Sequence, residues 1–328
     1  MRPRVYVTQP IADRALLRLQ EIAEVEVNQD SSRILAKPKL IEAARRSDII
    51  LCLLHDTIDR DVLAANPNLK AVASMTITPD AIDVNEATTR KIIVTNIPAV
   101  VTDATADLAF GLLLAVGRRI AEGDRVVRSG VFPGSQSNHL AGAAVSGKTL
   151  GLVGFGRIGQ AMARRARGFD MKVIYADPRG IPAEDEARLG ATGVSLEEVL
   201  GQSDFVSLHP AHTEETYHMI STRQFALMKR SAFLINTSRG AIVDEPALAR
   251  ALAEGRIAGA GIDVYEHEPK IERSLLTMNN VVLTPHLGSA VMELRESMAH
   301  IVVDNIAAIV EGREPPNCIN PTVFAPGA

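Results

Sequence analysis

Three charged residues in the second half of the chain could act together on one small molecule. Arg239 follows the apolar run AFLIN, Glu268 follows GAGID, and His286 follows NVVLT. A cation, an acid and an imidazole together offer ion pairing and proton transfer. In an open α/β sheet, the residues that follow the strands lie at the carboxyl edge, where ligands bind. If the three runs are strands of such a sheet, we expect the three side chains to converge on one substrate.

Each of these residues also has a purely structural interpretation. A single histidine after a strand is more often structural than catalytic. Glu268 could be only a turn acid before Pro269, and Arg239 could cap the helix that follows Gly240. The catalytic interpretation of the set therefore depends on the elements around it.

A glycine-rich turn between two apolar runs predicts where a dinucleotide binds. Gly154, Gly156 and Gly159 form GxGxxG after LGLV, and the next apolar run ends at Asp177, 23 residues after Gly154. The first glycine permits a tight turn, the second lets the backbone approach a pyrophosphate, and the third lets the helix pack closely. The helix N-terminus offers N–H groups to the phosphates, and Asp177 can accept hydrogen bonds from a ribose.

Asp177 also bears on which dinucleotide binds. Its carboxylate would repel the 2′-phosphate of NADP, which favours NAD. Arg179, two residues later, could pair with that phosphate or could be a solvated loop residue. We therefore expect NAD, with NADP as the alternative.

Composition and charge argue against several other classes of protein. A formal net charge of −4 predicts no general attraction to nucleic acid or to an anionic membrane. No apolar run approaches the about 20 residues that span a bilayer, and the N-terminus lacks the features of a secretory signal. Cys52 and Cys318 predict no disulfide framework, and no CxxC or HExxH motif predicts a metal site. We expect a soluble cytoplasmic protein without a metal.

Apolar runs alternate with helical segments along the chain, which predicts parallel sheets covered by helices. A long helix, expected over 104–127, separates two such series, and a helix over 292–311 returns the chain to the first series. The expected fold is α/β, with two doubly wound parallel-sheet domains and a Rossmann cofactor domain inserted into a flavodoxin-like substrate domain. The expected boundaries are 1–100 plus 290–328 for the substrate (catalytic) domain and 101–289 for the NAD(P)-binding domain. A small substrate would meet the cofactor in the cleft between two such domains.

Taken together, the motifs resemble those of the D-isomer-specific 2-hydroxyacid dehydrogenase family over nearly the whole chain, above all its glyoxylate/hydroxypyruvate reductase branch. GFGRIG, the acid of IYAD, NTSRG, DVYEHEP and TPHLGSA occur in the family's order and at similar spacings. The resemblance implies that Arg239 grips a carboxylate and polarises the carbonyl, that His286 is the acid/base, and that Glu268 stabilises the protonated imidazole. It implies reduction of small 2-oxoacids, such as glyoxylate and hydroxypyruvate, to D-2-hydroxyacids by hydride transfer from NAD(P)H.

The same resemblance implies which residues surround the two ligands. The cofactor-binding residues would be Gly154, Gly156, Arg157, Ile158, Gly159, Asp177, Thr105, Thr237, Asp263 and Gly288. The substrate-binding residues would be Ile77 and Thr78, through their amides, with Met75, His55 and Ser289. Structural alternatives remain open: helix packing for Thr105, core filling for Met75, and an ordinary polar strand end for His55.

The loop that begins at Ser74 departs from the family's pattern. Thr76, Thr78 and Pro79 stand roughly where a Gly-Val-Gly sequence is usual. β-Branched threonine resists the tight backbone conformations that glycine serves. Either the loop follows a less strained path, or the threonine hydroxyls contact the substrate.

The segment 132–144 lies where family members exchange an arm across a dimer, so the resemblance implies a homodimer. Two other functions stay open. One is a phosphite-type oxyanion dehydrogenase, since the same fold and triad can handle another small oxyanion. The other is a non-catalytic NAD-sensing protein like the corepressors that share this architecture. We expect an enzyme, because the two expected domains use nearly all of the 328 residues.

Overall fold

The alternation of apolar runs and amphipathic segments folds into two α/β units. The computed structural model describes residues 2–325. Within this range, residues 2–100 and 290–325 form one compact unit, and residues 101–289 form the other.

A five-stranded parallel sheet forms the centre of the first unit. Its strands are β1 (Arg4–Val7), β2 (Glu24–Val27), β3 (Ile49–Cys52), β4 (Ala71–Ser74) and β5 (Ile93–Thr95). Their spatial order is β2-β1-β3-β4-β5, which is the flavodoxin-like order and confirms the fold expected for this unit. β3 and β4 are buried at every position, as expected for parallel strands covered on both faces.

Helices alternate with these strands, and each helix begins where the loop after a strand ends. They are α1 (Asp13–Ile22), α2 (Lys37–Arg46), α3 (Arg60–Ala64) and α4 (Val84–Thr89). Asp59 caps α3 by accepting a hydrogen bond from the Val62 N–H, and Asp83 caps α4 through the Glu86 N–H. Both caps anchor the far ends of loops in which substrate-binding residues were expected.

The single long helix expected over residues 104–127 is wrong. Two helices lie there, α5 (Thr102–Gly117) and α6 (Ile120–Arg128). Arg119 adopts a left-handed backbone conformation with φ +56°, which an α-helix cannot continue through. The apolar pattern runs across this break, so periodicity alone did not reveal it.

A seven-stranded parallel sheet forms the centre of the second unit. Its strands are β6 (Thr149–Val153), β7 (Lys172–Ala176), β8 (Ala191–Gly193), β9 (Phe205–Leu208), β10 (Phe233–Asn236), β11 (Gly259–Ile262) and β12 (Val281–Leu283). Their spatial order is β12-β11-β10-β9-β6-β7-β8. This is the Rossmann order with one added strand, so the expected fold is confirmed here too.

Two hydrophobic cores lie on the two faces of this sheet. The helices between its strands are α7 (Arg157–Arg167), α8 (Ala183–Leu189), α9 (Leu196–Gln202), α10 (Thr222–Leu227) and α11 (Glu245–Ala253). Alternate residues of β10 face different cores: Leu234 joins the core with α9, α10 and α11, while Phe233 and Ile235 join the core with α5 and α7. The sheet is therefore covered on both sides.

The last helix returns to the first unit. It is α12 (Met292–Val310), and it packs against α1 and β4. The buried side chain of Asn305 donates to the carbonyl oxygen of Asn96 at 3.0 Å and so ties this helix to the segment after β5. Across residues 2–325, no helix combines the length and the apolar character needed to cross a membrane.

Candidate active site

The glycine turn between β6 and α7 has the shape that a dinucleotide requires. Gly154 has φ +84°, and a Cβ on it would lie 2.6 Å from backbone atoms of His209 and Pro210. A Cβ on Gly159 would lie 2.4 Å from the carbonyl oxygen of Gly154, so the helix packs directly on the turn. A Cβ on Gly156 would meet no atom of residues 2–325 within 4 Å. The backbone at Gly156 is therefore open to a phosphate group.

The first turn of α7 supplies donors for such a phosphate. Gly156 is its N-cap, and in the described part of the chain no side chain caps it. The N–H groups at the start of the helix, from Arg157, Ile158 and Gly159, therefore have no intrahelical acceptor and carry the positive end of the helix dipole. The Arg157 side chain is exposed, whereas Ile158 packs partly against the core. These residues fit the pyrophosphate of a dinucleotide.

Asp177, at the end of β7, is held by the glycine turn itself. Its Oδ2 accepts a hydrogen bond from the Phe155 N–H at 2.9 Å, and its Oδ1 accepts from the Arg179 N–H at 2.9 Å. Burial would raise the pKa of Asp177, but these hydrogen bonds hold it below its ordinary value. The Arg179 side chain is 83% exposed, and its Nε lies 3.5 Å from Asp177 Oδ1. A fixed negative charge therefore stands where a ribose would bind.

Two threonines expected at the cofactor have different surroundings. The hydroxyl of Thr237, directly after β10, is buried and has no hydrogen-bond partner among residues 2–325. Such an orphaned hydroxyl fits a hydrogen bond to a bound ligand. The hydroxyl of Thr105 on α5 donates to the carbonyl oxygen of Gly288 at 3.2 Å. Thr105 therefore holds the backbone just after His286.

Glu268 and His286 are in hydrogen-bond contact. His286 Nδ1 lies 2.9 Å from Glu268 Oε2 and 3.2 Å from Oε1. The Tyr265 N–H donates to Glu268 Oε1 at 2.9 Å, which fixes the carboxylate. The two side chains are 20% and 17% exposed, so the pair is largely shielded from water. An imidazole oriented by a carboxylate is suited to gain and lose a proton at its other nitrogen.

The backbone of His286 is strained, and Asp263 holds it there. His286 has φ +56°, which is costly for a residue with a side chain. Its N–H donates to the carbonyl oxygen of Asp263, and the Leu287 and Gly288 N–H groups donate to the Asp263 carboxylate at 2.7 and 2.9 Å. The hydroxyl of Thr284 donates to the same carboxylate at 2.6 Å. Asp263, expected at the cofactor, therefore builds the turn that presents His286.

Burial raises the pKa of Asp263 above its ordinary value, although the bonds from Thr284 and Leu287 and the nearby His286 oppose that shift. Desolvation of a carboxylate has this effect because it penalises the charged form. The carboxylate that holds the turn is thus nearly enclosed, and it is 1% exposed.

Arg239 is presented by a rigid turn after β10. Asn236 accepts a hydrogen bond from the Ser238 N–H and donates to the carbonyl oxygen of Arg239, which closes the turn. Arg239 Nη1 donates to the carbonyl oxygen of Ser238 at 2.9 Å. β10, β11 and β12 are neighbours in the sheet, so the segments with Arg239, Glu268 and His286 leave it at one edge.

In the first unit, the threonine loop after β4 follows a path that needs no left-handed residue. Residues 75–80 all have negative φ. Thr76 Oγ1 lies 2.6 Å from Ser74 Oγ and donates to the carbonyl oxygen of Thr78 at 2.6 Å. Asn96 donates to the carbonyl oxygen of Ile77 at 3.1 Å. Side-chain hydrogen bonds therefore stiffen a loop in which glycines are usual.

The remaining candidates are placed as follows. Met75 is buried, at 6% exposure. His55 lies in the loop after β3, which is tied to β1 because Asp56 accepts bonds from the Leu53 N–H and from the hydroxyl of Thr8. Ser289 directly follows Gly288 at the end of the second unit.

Sequence reasoning missed one residue of interest, Glu245. It is the first residue of α11 and directly follows Asp244. Asp244 does cap α11 by accepting from the Ala247 N–H at 2.9 Å. The carboxylate of Glu245 is buried and accepts backbone hydrogen bonds from the loop that carries Glu268. The one signal in the sequence was that Glu245 is a second acid beside Asp244, which is enough by itself to cap the helix.

Comparisons with known proteins agree with this geometry. A family model described as D-isomer specific 2-hydroxyacid dehydrogenase, NAD binding domain, matches residues 110–288. A glyoxylate reductase from Thermococcus litoralis is 48% identical over 330 residues, which cover 99% of this chain and 98% of that protein.

Two solved structures extend the similarity to the fold. A glyoxylate reductase from Paecilomyes thermophila has a TM-score of 0.80 at 31% identity, with 97% of this chain and 98% of that chain covered. An NADPH-dependent glyoxylate/hydroxypyruvate reductase from Sinorhizobium meliloti has a TM-score of 0.78 at 32% identity, with 99% and 100% covered. The similarity therefore spans both units.

Proposed function

The chain belongs to the family of D-isomer specific 2-hydroxyacid dehydrogenases, and we propose that it reduces small 2-oxoacids, above all glyoxylate and hydroxypyruvate, to D-2-hydroxyacids. As a member of that family it is an NAD(P)-dependent dehydrogenase. The observation that carries the proposed reaction is the contact between His286 and Glu268, presented beyond the carboxyl edge of the seven-stranded sheet. The names of its relatives supply the choice of substrates.

We propose that the second unit binds the cofactor and that NAD is preferred to NADP. The glycine turn, the start of α7 and the hydroxyl of Thr237 fit a dinucleotide. Asp177 would repel a 2′-phosphate, and Arg179, which could counter that repulsion, already lies against the same carboxylate. When bound, the cofactor supplies the hydride that the carbonyl carbon of the substrate receives.

His286 is the proton donor in this proposal. Its Nδ1 faces Glu268, so the protonated ring donates to the carboxylate through Nδ1 and carries the transferable proton on Nε2. The carbonyl oxygen of the substrate takes that proton and becomes the hydroxyl, and the ring is left neutral. The carboxylate stabilises the charged imidazole before the transfer, which favours reduction. In the reverse direction the neutral ring removes the proton.

Arg239 and the first unit complete the proposed substrate binding. The planar guanidinium of Arg239 would hold the α-carboxylate through paired hydrogen bonds and polarise the carbonyl. In the first unit, the amides of Ile77 and Thr78 would bind the substrate carboxylate, since side-chain bonds of Thr76 stiffen their loop. His55, Met75 and Ser289 would also contact the substrate.

We also propose that the protein is a homodimer. α6 buries none of its residues within the chain, although Ile120 and Val127 are apolar and each 57% exposed. In the following segment Val131 is 51% and Phe132 is 82% exposed. Exposed apolar side chains grouped along one segment of a chain are typical of an interface. Phe132→Asp should reduce the mass measured by light scattering from that of two chains to that of one. A wild type that already has the mass of one chain would reject the dimer.

The first test is the loss of NADH absorbance with a panel of small 2-oxoacids, repeated with NADPH. Turnover of glyoxylate or hydroxypyruvate, with at least about a tenfold preference for NADH, is the expected result. The same panel should include phosphite as a substrate for NAD reduction. Tight NADH binding without turnover of any 2-oxoacid would reject the proposed reaction in favour of an oxyanion dehydrogenase or a sensing protein.

A further inference from the structure

The loop that carries Glu268 is bound at two points by one buried carboxylate. Glu245 is 7% exposed. Its Oε1 accepts a hydrogen bond from the Glu266 N–H at 2.5 Å, and its Oε2 accepts from the Glu272 N–H at 3.1 Å. These two amides flank Glu268 along the chain. Both oxygens of one side chain therefore fix the two ends of the segment that presents the catalytic acid.

The position of Glu245 on its helix suits this task. Glu245 is the first residue of α11, where the helix dipole stabilises a negative charge. Asp244 already caps the helix through the Ala247 N–H. Glu245 is therefore not needed as the cap, and its carboxylate is directed to the loop.

A close backbone contact restrains the same loop from a second direction. A Cβ on Gly240 would lie 1.9 Å from the carbonyl carbon of Tyr265 and 2.3 Å from the Glu266 nitrogen. The peptide group between Tyr265 and Glu266 thus packs directly on the Gly240 backbone. The Glu245 carboxylate holds the N–H of that peptide group, so the group has little freedom to move.

This peptide group is linked to the catalytic pair by a short series of contacts. Tyr265 contributes its carbonyl group to the restrained peptide and donates its own N–H to Glu268 Oε1 at 2.9 Å. Glu268 in turn contacts His286 Nδ1. A shift of the loop would therefore change the distance between the carboxylate and the imidazole.

We propose that Glu245 is a positioning residue of the reaction, which holds Glu268 in register with His286 through the backbone of residues 265–272. This inference rests on the proposed function, because it assumes that the pair transfers the proton. Glu245 acts on the substrate only through Glu268 and His286. Its contribution is the correct placement of the pair, in the manner of residues that support and orient a catalytic group.

The test replaces Glu245 by glutamine. Glu245→Gln keeps the shape but turns an amide NH₂ group toward one of the two backbone N–H groups, so one hydrogen bond is lost. We expect kcat to fall on the order of 10- to 100-fold, since small displacements in a site have effects of this size. The dissociation constant for NADH should change less than about twofold, because the glycine turn is untouched. As pH rises, the rate of reduction should begin to fall at a lower pH in the variant than in the wild type, because a displaced Glu268 stabilises the protonated imidazole less well.

The matched control is Asp204→Asn. Asp204 also holds a backbone N–H, that of Thr149, and pairs with Lys229, but at the amino end of the sheet. It should lose stability without a change in kcat or in the pH profile. Glu245→Asp keeps the charge but shortens the reach, and it should give an intermediate loss. If Glu245→Gln lowers kcat no more than Asp204→Asn does, or leaves the pH profile unchanged, Glu245 is only structural and the inference is wrong.

An NMR comparison at one pH separates this inference from the proposed function. The ring signals of His286 report its contact with Glu268 in the absence of any substrate. In Glu245→Gln these ring signals should differ from those of the wild type, whether or not 2-oxoacids are the substrates, while in Asp204→Asn they should not. A wild type that turns over no 2-oxoacid would reject the proposed reaction, while unchanged ring signals in Glu245→Gln would reject the positioning by Glu245.

Discussion

The loop after β11 supplies the acids of two histidine–glutamate pairs, but their histidines lie in different places: His286 comes three residues after β12, and His218 comes ten residues after β9. Glu268 lies 2.9 Å from His286 Nδ1, and Glu266 lies 2.9 Å from His218 Nε2. Both histidines have left-handed backbones, with φ +56° and +48°. The two pairs therefore share a distance and a backbone conformation, although His286 faces its acid with Nδ1 and His218 with Nε2.

The surroundings of the two pairs differ. His286 follows β12, and the buried carboxylate of Asp263 holds its turn. His218 lies ten residues after β9, and it stacks on Tyr217, which is 52% exposed and donates to Glu266. A pair of these residue types is thus not itself a sign of catalysis. The pair that we propose to be catalytic is distinguished by its place close after a strand, on a turn that the Asp263 carboxylate holds.

The largest expected difference between the pairs is in the removal of the histidine. His286→Ala should lower turnover by about 10³- to 10⁵-fold, because no other group would donate the proton, and it should still bind NADH. His218→Ala, the matched control, should keep turnover within about twofold. Steady-state kinetics and NADH fluorescence titration measure both quantities. Unimpaired turnover in His286→Ala would reject it as the proton donor.

The acids should differ less than the histidines. Glu268→Gln should lower turnover by about 100-fold, since it removes the charge that stabilises the protonated ring and the anchor of its orientation. The loss of turnover should become larger as pH rises, because without the carboxylate the imidazole gives up its proton more readily. Glu266→Gln has the same change of side chain two residues away and should show neither effect. Rate profiles against pH for both variants check this, and equal losses would erase the distinction between the pairs.

Much of the fold was predictable because its signals are local. Strands buried on both faces, such as β3 and β9, appear in the sequence as short apolar runs. The glycine turn could be predicted because Gly154 has a backbone conformation that few other residues adopt, and it stands at a fixed place between strand and helix. The family resemblance added the order of the later motifs.

What the sequence did not reveal depends on backbone partners. Glu245 and Asp263 accept bonds from N–H groups that every residue except proline possesses, so no residue type marks the partner. Glu245 and Glu266 are 21 positions apart, and only the fold brings them together. The break at Arg119 was missed for a similar reason, because a left-handed arginine leaves no trace in the apolar pattern.

A third histidine in the same unit shows what happens without a carboxylate. His209 is buried beside the glycine turn, and burial lowers its pKa to about 3. Below about pH 6.5 the unfolded chain takes up a proton that the folded chain refuses, so stability is present above that pH and is lost as pH falls toward 3. The loss from this one group should be about 1.4 kcal/mol per pH unit. The free energy of unfolding can be measured in urea at about pH 7, 6 and 5. It should depend less on pH in His209→Asn than in the wild type.

The smallest effect should come from the contact between His218 and Glu266, which we call the outer pair. The side chains of His218 and Glu266 are 30% and 10% exposed, and a pair near the surface contributes up to about 1 kcal/mol. A double-mutant cycle with His218→Ala and Glu266→Gln should therefore give a coupling free energy of unfolding below about 1 kcal/mol, reduced by added salt. The loop already has anchors in Glu245 and in the Gly240 backbone, so loss of the outer pair should leave kcat unchanged. A tenfold fall in kcat with the outer pair removed would mean that the loop needs both pairs, and the division between a catalytic and a peripheral pair would then be wrong.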